Sequence, residues 1–265
     1  MLSAPAATEI KSCCAALYQT DFARLLLGDS FHPGGLELTG QMGSLLELRP
    51  GQKVLDVASG TGASAVYLAQ RFGCEVVGLD YSADLVGQAR QRARDANLNH
   101  LVRFEVGDSE RLPFPDSFFD ALICECSFCT FPDKRSAAGE FARVLKTGGQ
   151  VGLTDVTLDG PLPPELNGLL AQIVCIADAL PLDRYEALLN DANFQIDRVE
   201  PHPEVLETMV RDVRAKLLGA ELILKLGKIE IPGVDLKQAK TVAISASESI
   251  DRGTLGYGLV VATLL

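Results

Sequence analysis

Short β-branched runs alternate with helical patterns as far as Val156, and this alternation constrains the fold more than any other feature of the chain. "KVLDVA" (Lys53–Ala58) leads into a helical pattern from about Ala63 to Phe72, and "EVVGLD" (Glu75–Asp80) into another from about Ala83 to Ala96. "VRFEVGD" (Val102–Asp108) and "ALICEC" (Ala121–Cys126) follow. A helix near Arg135–Leu145, the turn "KTGG" and a fifth run, "QVGLTDV" (Gln150–Val156), complete the series. Strands separated by helices are βαβ units, and such units build a mostly parallel sheet with helices on both faces.

After Val156 the pattern turns helical, at about Pro164–Ala179 and Arg184–Asn190. A strand, "FQIDRVEP" (Phe194–Pro201), a long helical stretch over about Val205–Leu226 and a closing strand, "YGLVVATLL", follow. "FHPGG" (Phe31–Gly35) is a turn between helices laid over the sheet. With no internal repeat and no Gly/Ser-rich linker, the chain reads as one domain over residues 1–265. Residues 1–50 form an N-terminal helical cap, 51–202 the core, 203–252 an inserted helical cap and 253–265 the last strand.

The 265 residues are enough to bury a proper core. Thirty-five acidic against 24 basic residues give a net charge of −11, which repels a phosphate backbone and excludes nucleic acid as the expected partner. The longest apolar run, "LVVATLL", falls far short of the roughly 18 residues a membrane helix requires. "MLSAPAATEIK" lacks the basic and apolar regions of a secretory signal. The seven cysteines are an odd count without an export signal, so a cytoplasmic location with reduced thiols is expected.

The chemistry gathers at strand ends. In "KVLDVASGTG" a strand runs into a small-residue turn and then a helix, which lets backbone N–H groups approach a ligand. Asp56 stands at the end of that strand, where it would repel a diphosphate but attract an amino group. Asp80 ends the second strand, placed to accept ribose hydroxyls. Asp108, in "GDSERLPF", ends the third, within reach of an adenine amino group. A ligand with an amine, a ribose and an adenine but no phosphate is S-adenosylmethionine.

"LDVASGTG", "GLDYS", "GDSERLPFPDSFFDALI" and "EFARVLKTGG", in this order and spacing, resemble the class I S-adenosylmethionine-dependent methyltransferases over nearly the whole chain. The resemblance implies a Rossmann-like sheet of seven strands, the last antiparallel and inserted beside the fifth. It implies that Asp56, Ser59, Gly60 and Gly62 hold the methionine part, Asp80 and Tyr81 the ribose region, and Asp108 and Ser109 the adenine. Ala58 belongs to the same turn, where many relatives carry glycine. Tyr18, in the cap, is counted with the cofactor-binding residues.

"CECSFC" (Cys124–Cys129) falls at the carboxyl end of the fourth strand, beside the expected methyl group. Alternation along a strand would put Cys124 and Cys126 on one face and Glu125 on the other. Core packing, pocket lining and a metal site are the three readings of these thiols. No metal site is expected, because the three histidines are distant in sequence and a closed zinc site needs four converging ligands. Cys74 reads as packing.

"CSFCTFPDK", "LTDV" and "CIADALPLDRYEALL" also resemble the arsenite methyltransferases within this class. That resemblance assigns Cys126 and Cys175 to a metalloid. Two other family thiols are absent, their places falling at Gly34 and near Glu221, and Cys13 and Cys14 are the available substitutes. The expected activity is methyl transfer to a small-molecule acceptor, possible acceptors being a thiol-bound metalloid such as arsenite or an oxygen, nitrogen or carbon of an organic metabolite. The other classes are a nucleotide-binding oxidoreductase, which Asp56 disfavours, and a non-catalytic metal-responsive protein. Glu125, Cys126 and Cys175 are the candidate catalytic residues, with Tyr18, His32 and Asp155 also expected over the pocket.

Overall fold

The computed structural model describes residues 30–166, 178–225 and 236–265, together with Gly28 and Ile176. Seven strands form one sheet: β1 (Lys53–Val57), β2 (Glu75–Asp80), β3 (Val102–Val106), β4 (Phe119–Glu125), β5 (Leu145–Leu158), β6 (Phe194–Pro201) and β7 (Leu255–Leu264). Their order is β3-β2-β1-β4-β5-β7-β6. The first five pair in parallel, and β7 inserts antiparallel between β5 and β6, as the sequence resemblance implies.

Seven helices accompany the sheet among the described residues. They are α1 (Gly35–Leu45), α2 (Ala63–Phe72), α3 (Ala83–Asp95), α4 (Lys134–Val144), α5 (Leu182–Asp191), α6 (Pro203–Lys225) and α7 (Leu236–Asp251). Ser82 caps α3 by accepting from the Leu85 amide at 3.1 Å, and Asp133 caps α4 by accepting from the Ser136 amide. Each cap satisfies a helix donor that would otherwise lack a partner. No described helix is long and apolar enough to cross a membrane.

Helix α1 shows how local sequence sets the architecture. Leu38, Met42 and Leu46 recur at helical spacing and are all buried, each contributing about 1.5–3 kcal/mol relative to exposure. Met42 reaches the sheet because β5 carries Gly152 there: a Cβ at that position would lie 2.5 Å from the methionine sulfur. The N-terminal wall therefore rests directly on the strands it covers. On the other side, Phe128 packs against Phe131, Phe141 and Tyr185, and the Tyr185 hydroxyl donates to the Val156 carbonyl at 2.9 Å.

Several boundaries differ from the sequence expectation. Strand β3 stops at Val106, so Asp108 lies in the loop beyond it. Strand β5 absorbs the expected "KTGG" turn and runs 14 residues, because Phe119 pairs with Leu145 across a register shift before the regular ladder begins at Gln150. The helical cap expected over 203–252 contains two described helices, α6 and α7, where the pattern marked one over about Val205–Leu226. The helix expected over Pro164–Ala179 lies mostly outside the described residues, which show a short 3₁₀ turn at Pro164–Leu166.

Candidate functional site

Strand β1 pairs with β2 on one side and β4 on the other, so consecutive strands wind away from β1 in opposite directions. Such a switch point leaves a crevice at the carboxyl ends of the strands, where open α/β sheets bind ligands. A cavity occupies this position. Of the residues expected at the cofactor site, Asp56, Ala58, Ser59, Gly60, Asp80, Tyr81, Asp108 and Ser109 all line it, as do Glu125 and Cys126. Tyr18 and Cys175, like Cys13 and Cys14, lie outside the described residues.

The turn after β1 is wound tightly: Ala58, Gly60 and Gly62 have φ of 58°, 53° and 75°. Ala58 thus adopts a left-handed conformation that a side chain disfavours. Its small size does not relieve the strain, which is a matter of backbone rather than space. Gly62 sits behind the turn. It does not line the cavity, and a Cβ there would lie 2.5 Å from the Phe104 ring and 2.9 Å from Ala89. Its place in the glycine pattern reflects close packing behind the turn.

The strand-end acids have unequal surroundings. Asp80 accepts from the Gly60 amide through Oδ2 and from the Ser82 amide through Oδ1, both at 2.8 Å, so it ties the β1 turn to the start of α3. One lone pair on each oxygen remains for a ligand. Burial raises its pKa, against the lowering effect of those two amides. Asp108 folds its own loop by accepting from the Glu110 amide at 3.0 Å. Asp56 is the least satisfied acid of the site. Among the described residues its Oδ2 and the Ser59 Oγ are the buried side-chain atoms that find no hydrogen-bond partner. Burial, then the nearby charges of Glu125 and Asp80, push the Asp56 pKa well above the usual carboxylate range.

Glu125 is also drawn inward. Thr39 donates to its Oε1 at 2.9 Å, Ser64 donates to its Oε2 at 2.5 Å, and His32 Nε2 lies 3.5 Å from Oε2. The His32 and Glu125 side chains are each 4% exposed, so the group is sealed from bulk water. Thr39 and Ser64 were not identified in the sequence. The signal for Ser64 was its place in the first turn of the helix after the glycine turn; Thr39 carried none, since its partner is distant in the chain.

The cysteines separate into two kinds, and the expected alternation fails. Strand β4 ends at Glu125, and Cys126 takes φ 51°, donating its amide to the Thr154 carbonyl at 2.7 Å. This reversal brings Cys126 and Glu125 to the same cavity, whereas Cys124 is buried away from it. The Cys124 thiol lies 3.1 Å from the Ser127 hydroxyl, and burial raises its pKa well above normal. Cys129 is buried, and burial pushes the Cys74 thiol up to about 11. Cys126 is therefore the one thiol among the described residues that lines the cavity. Asp155, expected over the pocket, is buried mid-strand, where it accepts from the Cys129 and Val156 amides. It holds the turn after β4 in place. No group of three or more histidine, cysteine or acidic residues is arranged for a metal ion among the described residues.

S-adenosylmethionine fits this donor set. Unpartnered acceptors at Asp56 and Ser59 suit an ammonium group, and Asp80 has lone pairs left for two hydroxyls. The described lining holds four carboxylates and no lysine or arginine, which suits a cation.

Comparison with known proteins agrees with this chemistry. Residues 55–153 match the model of a methyltransferase domain. Methyltransferase GfsG of Streptomyces halstedii is 29% identical, over 83% of this chain and 82% of its own length. Phosphoethanolamine N-methyltransferase 3 of Arabidopsis thaliana is 33% identical over 69% of this chain. The chain spans 38% of that plant enzyme. In fold it resembles the Haemonchus contortus phosphoethanolamine N-methyltransferase 2 solved with S-adenosyl-L-methionine. The TM-score is 0.81 at 19% identity, covering 99% of this chain and 60% of that one.

Proposed function

Starting from the family to which the chain belongs, the class I S-adenosylmethionine-dependent methyltransferases, we propose that it methylates an uncharged nucleophile of a small organic molecule. The bound cofactor supplies a methyl group already activated on a sulfonium. Asp56 and Ser59 would hold its amino end, Asp80 with Tyr81 its ribose, and Asp108 with Ser109 its adenine. The protein's remaining tasks are to exclude water and hold donor and acceptor in line, and the proton that an alcohol, phenol or amine loses on methylation passes to a basic group of the cavity lining or out to solvent. The buried wall of His32, Thr39 and Ser64 serves the first purpose.

The observation that carries the acceptor reading is that Cys126 is the one thiol on the cavity among the described residues, Cys13, Cys14 and Cys175 lying outside them. Trivalent arsenic requires two or three thiolates, and Cys124 and Cys129 are buried with no face on the cavity. A phosphorylated acceptor is also poorly matched, because four carboxylates and no basic chain face the cavity among the described residues. An alcohol, phenol or neutral amine suits such a lining better.

Methyl transfer from labelled S-adenosylmethionine to a panel of uncharged alcohols, phenols and amines tests this, with arsenite plus glutathione and phosphoethanolamine as competing arms. Turnover confined to the organic panel supports the proposal. Turnover of arsenite, lost in Cys126→Ser, would replace it with the metalloid reading.

A further inference from the structure

Asp56 and Glu125 share one face of the sheet. Asp56 is in register with Ile123 on the neighbouring strand, and Glu125 lies two residues beyond Ile123, so both carboxylates emerge on the same side at the cavity floor. Two buried acids placed together cannot both hold full charge without a cation between them. Their surroundings divide the roles. Glu125 receives the Thr39 and Ser64 hydroxyls and lies beside His32, while Asp56 has an unpartnered oxygen.

We propose that Asp56 and Glu125 form a two-carboxylate clamp for the α-ammonium group of the cofactor, with Glu125 a binding residue rather than the acceptor's base. This deepens the cofactor assignment and is independent of the acceptor. Among the described residues Glu125 Oε1 receives the Thr39 hydroxyl at 2.9 Å, which leaves it a lone pair for the ammonium. In the free protein burial, and then the neighbouring Glu125, favour a proton on Asp56. Asp80 from β2 and Glu125 from β4 are the charged groups that bear on Asp56, and both favour that proton. His32, Asp108 and Cys126 stand further round the cavity lining. The incoming ammonium displaces the proton and takes over its charge-balancing role. Binding therefore tightens as pH rises and levels off once free Asp56 ionises.

The same geometry links the clamp to the N-terminal wall. Thr39 of α1, Ser64 of α2 and His32 of the preceding turn all converge on Glu125, so the carboxylate that grips the ammonium also anchors the wall beside it. Loss of the ammonium-binding charge and loss of the wall are separable, because glutamine can keep the hydroxyl contacts while removing the charge.

Calorimetry with S-adenosylhomocysteine and 5′-methylthioadenosine at pH 7.5 tests the proposal, because the second ligand keeps the adenosine and thioether but has no ammonium. Each titration is run in two buffers of different ionisation enthalpy. Wild type is expected to release up to one proton with S-adenosylhomocysteine and none with methylthioadenosine. Glu125→Gln is expected to weaken S-adenosylhomocysteine roughly 10-fold or more, the scale of one hydrogen bond to a charged group. It should also reduce the proton release without abolishing it, since burial is the larger cause of the raised Asp56 pKa, and leave methylthioadenosine within about twofold, the latter ligand reporting an intact fold. Equal loss for both ligands would reduce Glu125 to a structural post. Unchanged affinity for S-adenosylhomocysteine, or binding by wild type without proton release, would overturn the clamp.

Discussion

Asp120 and Asp56 lie on neighbouring strands of one sheet, Asp120 at the amino end of β4 and Asp56 towards the carboxyl end of β1, and they are treated in opposite ways. Asp120 accepts the Lys53 amide at 2.8 Å and the Lys146 ammonium at 2.6 Å, and these contacts hold its pKa below the usual range despite some burial. Asp56 has an oxygen with no partner and a pKa raised by burial and by neighbouring acids. The contrast extends to the surroundings. Arg143 of α4 joins Glu140, Asp116 and the carbonyls of Leu112 and Phe114 into a satisfied network. At the cavity, Ala58 and Cys126 both sit in left-handed backbone. One set of contacts stabilises the sheet; the other holds unspent interaction energy for a ligand.

The comparison breaks first at Arg143. Arg143→Ala should lower stability by about 2–3 kcal/mol, since two carboxylates and two carbonyls lose a charged donor together. Chemical denaturation measures this loss, and affinity for S-adenosylhomocysteine should stay unchanged. A fall in affinity would show that the two regions are coupled. Asp80→Ala should do the reverse, weakening the cofactor by about 1.5–3 kcal/mol in calorimetry through lost ribose contacts and a loosened Gly60 turn. The smallest effect belongs to Ala58→Gly. Relief of left-handed strain, partly offset by the entropy glycine loses on folding, should raise stability by less than about 1 kcal/mol. A destabilised glycine variant would remove strain from the account.

The sequence exposed the part of this architecture that depends on local pattern. Strands of β-branched residues, the glycine turn and the acids at Asp56, Asp80 and Asp108 could be read directly, because alternation and spacing are local signals. Three features depended on contacts between distant parts of the chain. Cys126 reverses the backbone where β4 ends, which alternation cannot foresee. Glu125 finds Thr39 and Ser64, which lie 86 and 61 residues away. Helix α7 buries Ala243, Ala246, Ser245 and Ser249, a face of small residues rather than of large apolar ones.

The pH dependence of the two regions has opposite signs. Asp120, Asp133 and Glu140 have lowered pKa values, so their stabilisation is present above the usual carboxylate value and is lost as pH falls through the lowered ones. Asp56 and Asp80 have raised values. Their ionisation weakens the free protein above those values, and that penalty disappears as pH falls towards the usual carboxylate range.

Thermal melting of wild type and Asp56→Asn, with and without saturating S-adenosylhomocysteine at pH 7.5, tests this division most directly. The account predicts that the free variant melts higher than the free wild type, because a buried carboxyl group with one unpartnered oxygen has been replaced by a neutral amide. It also predicts that the upward shift on adding ligand, large in wild type, shrinks in the variant. A free variant that melts lower, or one that keeps the full ligand-induced shift, would contradict the claim that Asp56 is held at a cost to stability in order to bind the cofactor.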